Sequence, residues 1–526
     1  MAGNLVGIDL GTTFSAIAAL DEYGKPYTVP NRDNEMLTPS AVLIVDDANA
    51  VVGQAALDVA LEQPDRVATL IKRYMGKDGY ARAVAGRPFR PETLSAIILR
   101  KLVQDAELRL GPISKAVITV PAYFDETRRK ATKDAGRIAG LEVIDILDEP
   151  TAAALAYSFQ PPRPLHGMPA PKPMLPDEVR TVLVYDLGGG TFDVTLVRLS
   201  KDRFETLAIE GDYQLGGKDW DDKLVDHIAR KFQEQHGSDP RQDPQSLAAL
   251  RAAAERAKKT LSKLTQATVT CSHAGKLLTV PIPRAEFEAL TKDLITRTRL
   301  TAQQLLRHAG VKWDQVDRIL LVGGSTHMPM TGEMLQQLSG KTPDNSLAVS
   351  EVVARGAALH AGITAAHSDL DMGLLEPEAR KLLEQVVEVN VNAHSLGLEA
   401  VDKADQRVNN ILIPKNTQLP YAFSRVYYTK AENQQRVRVN VLQGDAPEAK
   451  DCISIGECWI EGLPPALPKG SPVQVRYGVA PNGLIEVLAL DMTSGRMART
   501  VIHRSSGLSD EEIAREAEFV RKLRIQ

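Results

Sequence analysis

Two short segments combine a carboxylate with a turn of small, hydroxylated residues. Val6-Gly-Ile-Asp9-Leu-Gly11-Thr12-Thr13-Phe14 ends an apolar run on an acid, then supplies a glycine and two threonines. Leu183-Val-Tyr-Asp186-Leu-Gly188-Gly189-Gly190-Thr191-Phe-Asp193 repeats the device. Glycines let backbone N–H groups come close to anionic oxygens. The hydroxyls of Thr12, Thr13 and Thr191 add donors, and an aspartate at a strand end can hold Mg2+ through the ion's waters. One such turn is an ordinary glycine turn as readily as a phosphate cradle. Two copies imply duplicated lobes with a nucleotide clamped between them. Other phosphate motifs are missing: Gly340-Lys341-Thr342 has Leu335 where a P-loop needs its first glycine. A third run, Ile319-Leu-Leu-Val-Gly323-Gly324-Ser325-Thr326, also enters glycines from a strand, and it could pass beneath an adenosine.

The elements that carry these turns alternate. Residues 5–10, 116–120, 181–186 and 318–322 read as buried strands, and 93–110 and 245–263 as helices with apolar residues three and four apart. Strand–helix alternation predicts α/β layers. Residues 160–176 hold seven prolines and read as an exposed loop between two α/β halves. After residue 385 the texture changes to short alternating runs such as 436–442 and 472–477, bounded by Gly, Pro and Asn; this predicts an all-β module. A last helix is expected after Ser509, which forms a capping box with Glu512.

The 526 residues allow several domains, and 43% hydrophobic with 25% charged residues is ordinary globular composition. A net charge of −4 and 5% aromatics argue against a nucleic-acid or membrane-surface partner. The longest run without Asp, Glu, Lys or Arg, 319–332, is shorter than the roughly 18 residues a membrane span needs. Three cysteines, Cys271, Cys452 and Cys458, fit a reducing compartment and read as strand residues rather than metal ligands. A soluble, cytoplasmic protein is expected.

With these blocks in view, the chain resembles a DnaK-type chaperone of the seventy-kilodalton heat-shock family, and in its shortness the HscC-like branch. The resemblance also rests on Ile71-Lys72-Arg73, Val120-Pro121-Ala-Tyr-Phe124, Glu149-Pro-Thr-Ala-Ala-Ala-Leu-Ala-Tyr157, Leu215-Gly216-Gly217, Val441-Leu-Gln-Gly444 and Ser505-Ser-Gly-Leu508, in family order along nearly the whole chain. It implies an actin-like, two-lobed α/β ATPase domain over 1–366, an interdomain linker over 367–386, a β-sandwich peptide-binding domain over 387–505, and a C-terminal helix over 506–526 as a remnant of a lid.

By the same resemblance ATP or ADP is bound with Mg2+, with K+ as a further candidate ion. Asp9 and Asp186 match the metal-holding carboxylates. Lys72, Glu149, Asp186 and Thr191 match the catalytic set, acting by charge neutralisation and water positioning. Gly11, Thr12, Thr13, Phe14, Gly188, Gly189, Gly190, Gly216 and Gly217 match the phosphate turns. Glu255, Lys258, Lys259 and Ser262 match an adenine-binding helix, with Glu255, Lys258 and Ser262 on one face. Gly323, Gly324, Ser325 and His327 match the turn beneath the nucleoside. Leu398, Val401, Tyr427, Lys430, Val437 and Val439 match the peptide pocket, and Pro121 and Arg129 the interdomain switch. The implied partners are an unfolded or extended polypeptide, a J-domain cochaperone and a nucleotide exchange factor.

Four departures qualify the match. Lys259 and His327 stand where many relatives sandwich adenine between two arginines, and lysine lacks the planar guanidinium; weaker nucleotide binding is expected. Lys430 stands where a small arch residue is common, which would narrow the groove or favour acidic peptides. Glu388 interrupts a linker that is normally apolar, and a lone buried carboxylate is costly, so interdomain coupling is in question. The single C-terminal helix predicts fast peptide release. The last two features and Lys430 favour a rival reading, a nucleotide-dependent binding protein for one dedicated client.

Overall fold

The computed structural model describes residues 4–159, 179–200, 203–344, 348–368, 370, 375–402, 404–461, 463, 465–480, 485–495, 497–501 and 508–526. The proline-rich stretch 160–176 lies outside them. The two carboxylate turns sit in two lobes built alike. In the first lobe the strands Asn4–Asp9 and Phe14–Leu20 form an antiparallel hairpin, and Ile113–Val120 then Glu142–Asp148 extend the sheet in parallel. In the second, Arg180–Leu187 and Phe192–Leu199 form the hairpin and Arg318–Val322 joins in parallel. The parallel strands are largely apolar where both faces are covered, as over 116–120 and 319–322, whereas the outer strand Glu142–Asp148 mixes acids with apolar residues. The α/β expectation and the four predicted strands are met.

Two helices cross between the lobes. Glu149–Ser158 and Val352–Ala366 pack on each other, the first also touching the second-lobe sheet and the second the first-lobe sheet. Both are rich in alanine, and the second adds Gly356 and Gly362; small side chains let helix and sheet backbones approach closely. Ala354 and Ala358 meet Ala16 and Ala18 in a cluster whose buried members are all alanine, with Leu20 and Leu37 packed at its margin.

The β-module is a sandwich of two four-stranded antiparallel sheets. One runs Arg407–Ile413, Leu396–Val401, Arg436–Gln443, Ile453–Glu461; the other runs Tyr421–Tyr428, Pro472–Val479, Ile485–Asp491, Met497–Val501. Leu398, Val439, Val441, Tyr477 and Val487 fill the space between the sheets.

Two expectations change at the domain junctions. Residues 367–386 were expected to be a connector, yet helix Pro377–Glu384 packs on the crossing helix Val352–Ala366, and Leu383 and Val386 are buried in the core between the lobes. The strand Val387–Val389, expected to open the β-module, instead pairs in parallel with Arg203–Asp212 and becomes the outer strand of the second-lobe sheet. The reason is its period: Val387 and Val389 bracket one acid, a pattern that any free sheet edge can accept.

The C-terminal helix forms as the capping box predicts, with Ser509 Oγ accepting the Glu512 N–H. Its place is not above the β-module. Ile513 and Val520 are buried against helices Pro91–Leu110 and Glu126–Ile138 of the first lobe. Arg137 pairs with Asp510 at 2.8 Å, and Thr93 donates to Glu516 at 2.8 Å. The strand Arg524–Ile525 then pairs with Asn49–Val52, and the Val52 N–H donates to the Gln526 carbonyl at 2.9 Å. A helix with an apolar stripe needs an apolar partner face, and the first lobe supplies it. Leu523→Ala should therefore destabilise the first lobe by about 2–4 kcal/mol, read as a lowered denaturant midpoint; a helix that merely hovered over the β-module would leave that midpoint unchanged.

Candidate functional site

The two hairpin turns face each other across the cleft between the lobes. The first is held by hydroxyls assigned no role from the sequence alone: Ser40 Oγ donates to the Gly11 carbonyl at 2.8 Å, and the Gly11 N–H donates to Ser15 Oγ at 3.2 Å. The second is closed by the Gly188 N–H donating to the Thr191 carbonyl at 3.0 Å. Thr12 and Thr13 lie directly against Gly190 and Gly189 of the opposite turn, where a side chain would collide with them. Gly216 approaches the backbone of Gly190 so closely that a Cβ there would overlap it. Gly323 has φ +82°, which glycine adopts without strain, and a side chain there would strike the Asp186 carboxylate. Three separate chain segments therefore bring bare backbone to one point.

The acids converge beneath these turns. Asp9 ends its strand, Asp186 and Asp193 are cross-strand partners in the second hairpin, and Glu149 is the first residue of a crossing helix. Lys72 lies in the single helical turn Ile71–Tyr74 and is ion-paired with Glu149, both side chains almost fully buried. Burial pushes the Asp9 carboxyl up to about 7, with the Glu149 charge adding to the rise and Lys72 and the Thr119 hydroxyl opposing it. Burial, then the charge of Glu149, also raises Asp186 and Asp193 well above the usual carboxylate range. One lysine does not neutralise so many acids in a low dielectric.

This donor set fits a hard divalent cation. Among the described residues no three acids, histidines or cysteines close around one point as direct metal ligands. An all-oxygen, water-rich shell completed by phosphate oxygens is the preference of Mg2+. Asp9 and Asp186 would hold such an ion through its waters.

Asp193 was quoted in the second turn but given no role; its buried carboxylate accepts the Tyr123 N–H at 3.0 Å. Arg73, next to Lys72, joins the lobes: its Nε donates to the Gly190 carbonyl at 2.9 Å and its guanidinium pairs with Asp219. Arg73 stood in the matching block Ile71-Lys72-Arg73, but only Lys72 was given a role there.

The helix Pro244–Leu261 approaches the same cleft. Lys258 donates to the Gly217 carbonyl at 3.0 Å and to Asp221 at 2.7 Å, and the Ser325 hydroxyl donates to the Gly188 carbonyl at 2.9 Å. Burial outweighs Lys258 and pushes the Asp221 carboxyl up to about 6. Lys259 pairs with Glu255 at 2.8 Å and its ammonium lies 5.9 Å from the centre of the Phe14 ring. His327 and Gly324 are exposed beside them. The Ser262 hydroxyl turns back to the Lys258 carbonyl at the end of its own helix, which also accepts the Ser262 N–H, the local back-bond that serine readily makes.

The switch residues sit between this cleft and the β-module. Pro121 is buried, and the loop after it touches both sides. Arg129 pairs with Asp148, the residue just before the helix that Glu149 begins, and donates to the Ala122 and Phe124 carbonyls at 3.2 Å. The Tyr123 ring meets His394 of the β-module at 4.5 Å, and Nε2 of His394 donates to the Tyr123 carbonyl at 3.1 Å. Gln443 accepts the Glu126 N–H at 3.0 Å, Asn416 accepts the Ile209 N–H at 2.9 Å, and Lys415 pairs with Glu210 at 2.8 Å.

The six pocket positions do not share one environment. Leu398 and Val439 are buried in the sandwich core, Tyr427 and Val437 are partly buried at its margin, and Val401 is exposed. Alternation along the strand is the cause, since period two sends Leu398 and Val401 to opposite faces. Lys430 is ion-paired with Asp405 across the two loops at that end of the sandwich. The outer strand Tyr421–Tyr428 exposes Tyr421, Phe423, Val426 and Tyr428.

Ionising Asp9 costs folding free energy, because its folded value of about 7 lies above the ordinary 3.8. The nucleotide-free protein should then lose stability as pH rises from about 4 to about 7. Asp9→Asn should restore roughly 1–3 kcal/mol at pH 8 and nothing at pH 4, by urea unfolding without Mg2+. Equal effects at both pH values would contradict this account. The family model described as Hsp70 protein matches residues 5–524.

Proposed function

The chain belongs to the Hsp70 family, whose members are ATPases that bind unfolded polypeptides, and from that premise we propose that ATP hydrolysis in the cleft gates peptide binding by the β-module. The observation that carries the coupling is Tyr123. Its N–H is held by Asp193 among the cleft carboxylates, and its ring and carbonyl are held by His394 of the β-module. A change of charge at Asp193 is thus one residue away from the domain contact.

The chain's own residues do the following. The turns 11–13 and 188–191 present N–H groups and hydroxyls to phosphate oxygens. Lys72 places a positive charge at the cleft floor, and Glu149, held by that lysine, orients the attacking water. Asp9 and Asp186 would hold Mg2+, which would supply the positive charge that the four acids lack, and Thr191 would face the phosphoryl group to be transferred. K+ is a further candidate in the same acidic cleft. The family supports a J-domain cochaperone and a nucleotide exchange factor as partners, and the cytoplasm as the compartment; no described helix is long and apolar enough to cross a membrane.

In the short, HscC-like form the helix Asp510–Lys522 serves the first lobe. The rival reading, a dedicated client, draws on Lys430: its pair with Asp405 bridges the loops over which an extended peptide would lie.

Single-turnover hydrolysis should depend on Lys72 and be accelerated by an extended apolar peptide. Lys72→Ala should slow it by about 100-fold or more. Hydrolysis that depends on Lys72 but ignores every peptide would favour the dedicated client. Lys259→Arg should tighten ADP binding about two- to fivefold by calorimetry, since a guanidinium stacks on a planar base where an ammonium does not.

A further inference from the structure

Glu388 stands in the strand Val387–Val389, the outermost strand of the second-lobe sheet and the last element before the β-module. Its side chain is largely buried, as the sequence warned, but it is not alone. Oε2 meets Nδ1 of His360 at 2.7 Å, and Nε2 of the same ring meets Oδ2 of Asp145 at 2.9 Å. His360 belongs to the crossing helix Val352–Ala366, and Asp145 to the first-lobe strand Glu142–Asp148. The imidazole is therefore clasped between two carboxylates from different elements, at 8% exposure.

The geometry settles the proton count. A carboxylate is an acceptor only, and a neutral imidazole has one N–H and one bare lone pair. With an ionised carboxylate on each nitrogen, only the imidazolium satisfies both contacts. A neutral ring would face one carboxylate lone pair to lone pair. The second oxygen of Glu388, Oε1, is buried with no hydrogen-bond partner among the described residues, so the His360 contact is the one that offsets its desolvation.

We propose that Asp145, His360 and Glu388 form a proton-dependent latch, in which a doubly protonated His360 holds the linker strand against the ATPase domain. The surroundings agree. Glu388 and Asp145 together hold the His360 imidazole protonated well above its ordinary 6.5, against the effect of burial. Asp145 itself lies in the field of Arg129 and Asp148. The other elements packed on the crossing helix direct their charges elsewhere: Glu149 to Lys72, Lys115 to Glu142, Arg380 to Glu384, and Asp9 into the cleft, with Glu378 and Lys381 exposed.

The sign follows from linkage. Glu388 raises the histidine's proton affinity only while the strand is docked, so docking takes up a proton wherever the free ring is neutral. Docking is complete at mildly acidic pH and weakens as pH rises through the docked-state value, by at most about tenfold per pH unit for one proton. An all-apolar linker would have no such dependence.

The test uses the full chain with a non-hydrolysed ATP analogue and Mg2+. Selective 13C,15N-histidine labelling, assigned with His360→Gln, reads the ring nitrogens, and paired distance labels on the second lobe and the β-module read docking from pH 6 to 9. In the wild type both nitrogens of His360 should carry protons at pH 7.5. The docked fraction should fall on the alkaline side, and Glu388→Leu should flatten that fall while lowering the pH at which His360 loses its proton. A neutral His360 at pH 7.5 in the wild type, or identical pH slopes in wild type and Glu388→Leu, would overturn the latch. Should His360→Gln fail to fold, assignment passes to the shift perturbed by Glu388→Leu. The inference rests on the coupling reading only for its effect on hydrolysis: peptide-indifferent ATPase with an intact titration would sink the coupling and leave the latch standing.

Discussion

Negative charge concentrated where water is scarce is the constraint around which this molecule is organised. Asp9, Asp186, Asp193 and Glu149 share the floor of one cleft with a single buried ammonium, Lys72. Buried charges survive only when paired or when a ligand completes them. Ionised, they are a standing cost to the empty protein and a ready site for a cation that brings phosphates with it. The raised carboxyls of Asp9, Asp186 and Asp193 are the electrostatic signature of that arrangement.

Everything near the cleft serves either to hold those charges or to bring bare backbone to them. The duplicated hairpins supply two acids from strand ends whose positions are fixed by sheet register. The crossing helices, rich in alanine, close the gap between the lobes and deliver Glu149 at a helix N-terminus. There the helix dipole favours its negative charge. Arg73 then ties the first lobe to the second turn through Gly190 and Asp219. The lobes thus meet through groups that a bound nucleotide would also touch.

The same economy of charge reappears at the domain junction. Arg129 with Asp148 joins neighbouring elements, whereas Lys415 with Glu210, and His360 with Asp145, join elements far apart in the chain, and Glu388 ties the linker strand to that same histidine. Shielded pairs of this kind are sensitive to geometry: a small movement strands a charge in low dielectric. That makes them suited to a contact that must be either made or broken, in contrast to the forgiving apolar packing of the sandwich core.

The α/β lobes, the β-module and the last helix were legible in the sequence because each rests on local periodicity, turn chemistry or a capping box. The cleft acids were legible because the Asp-Leu-Gly turn is a short-range pattern present twice. Other assignments depended on what lies across a gap, which no local pattern encodes. Ser40, Arg73 and Asp193 act on partners in other segments, and Ser262 finds its partner within its own helix. The last helix was foreseen as an element but not as part of the first lobe, because its apolar stripe says only that some face must cover it. Glu388 shows the division most plainly. The sequence by itself determined that a carboxylate stands inside an apolar linker and must be paired or pay for its burial. Only the tertiary structure decided that the partner is His360, because that pairing depends on a helix crossing between two lobes and bringing one imidazole between two acids.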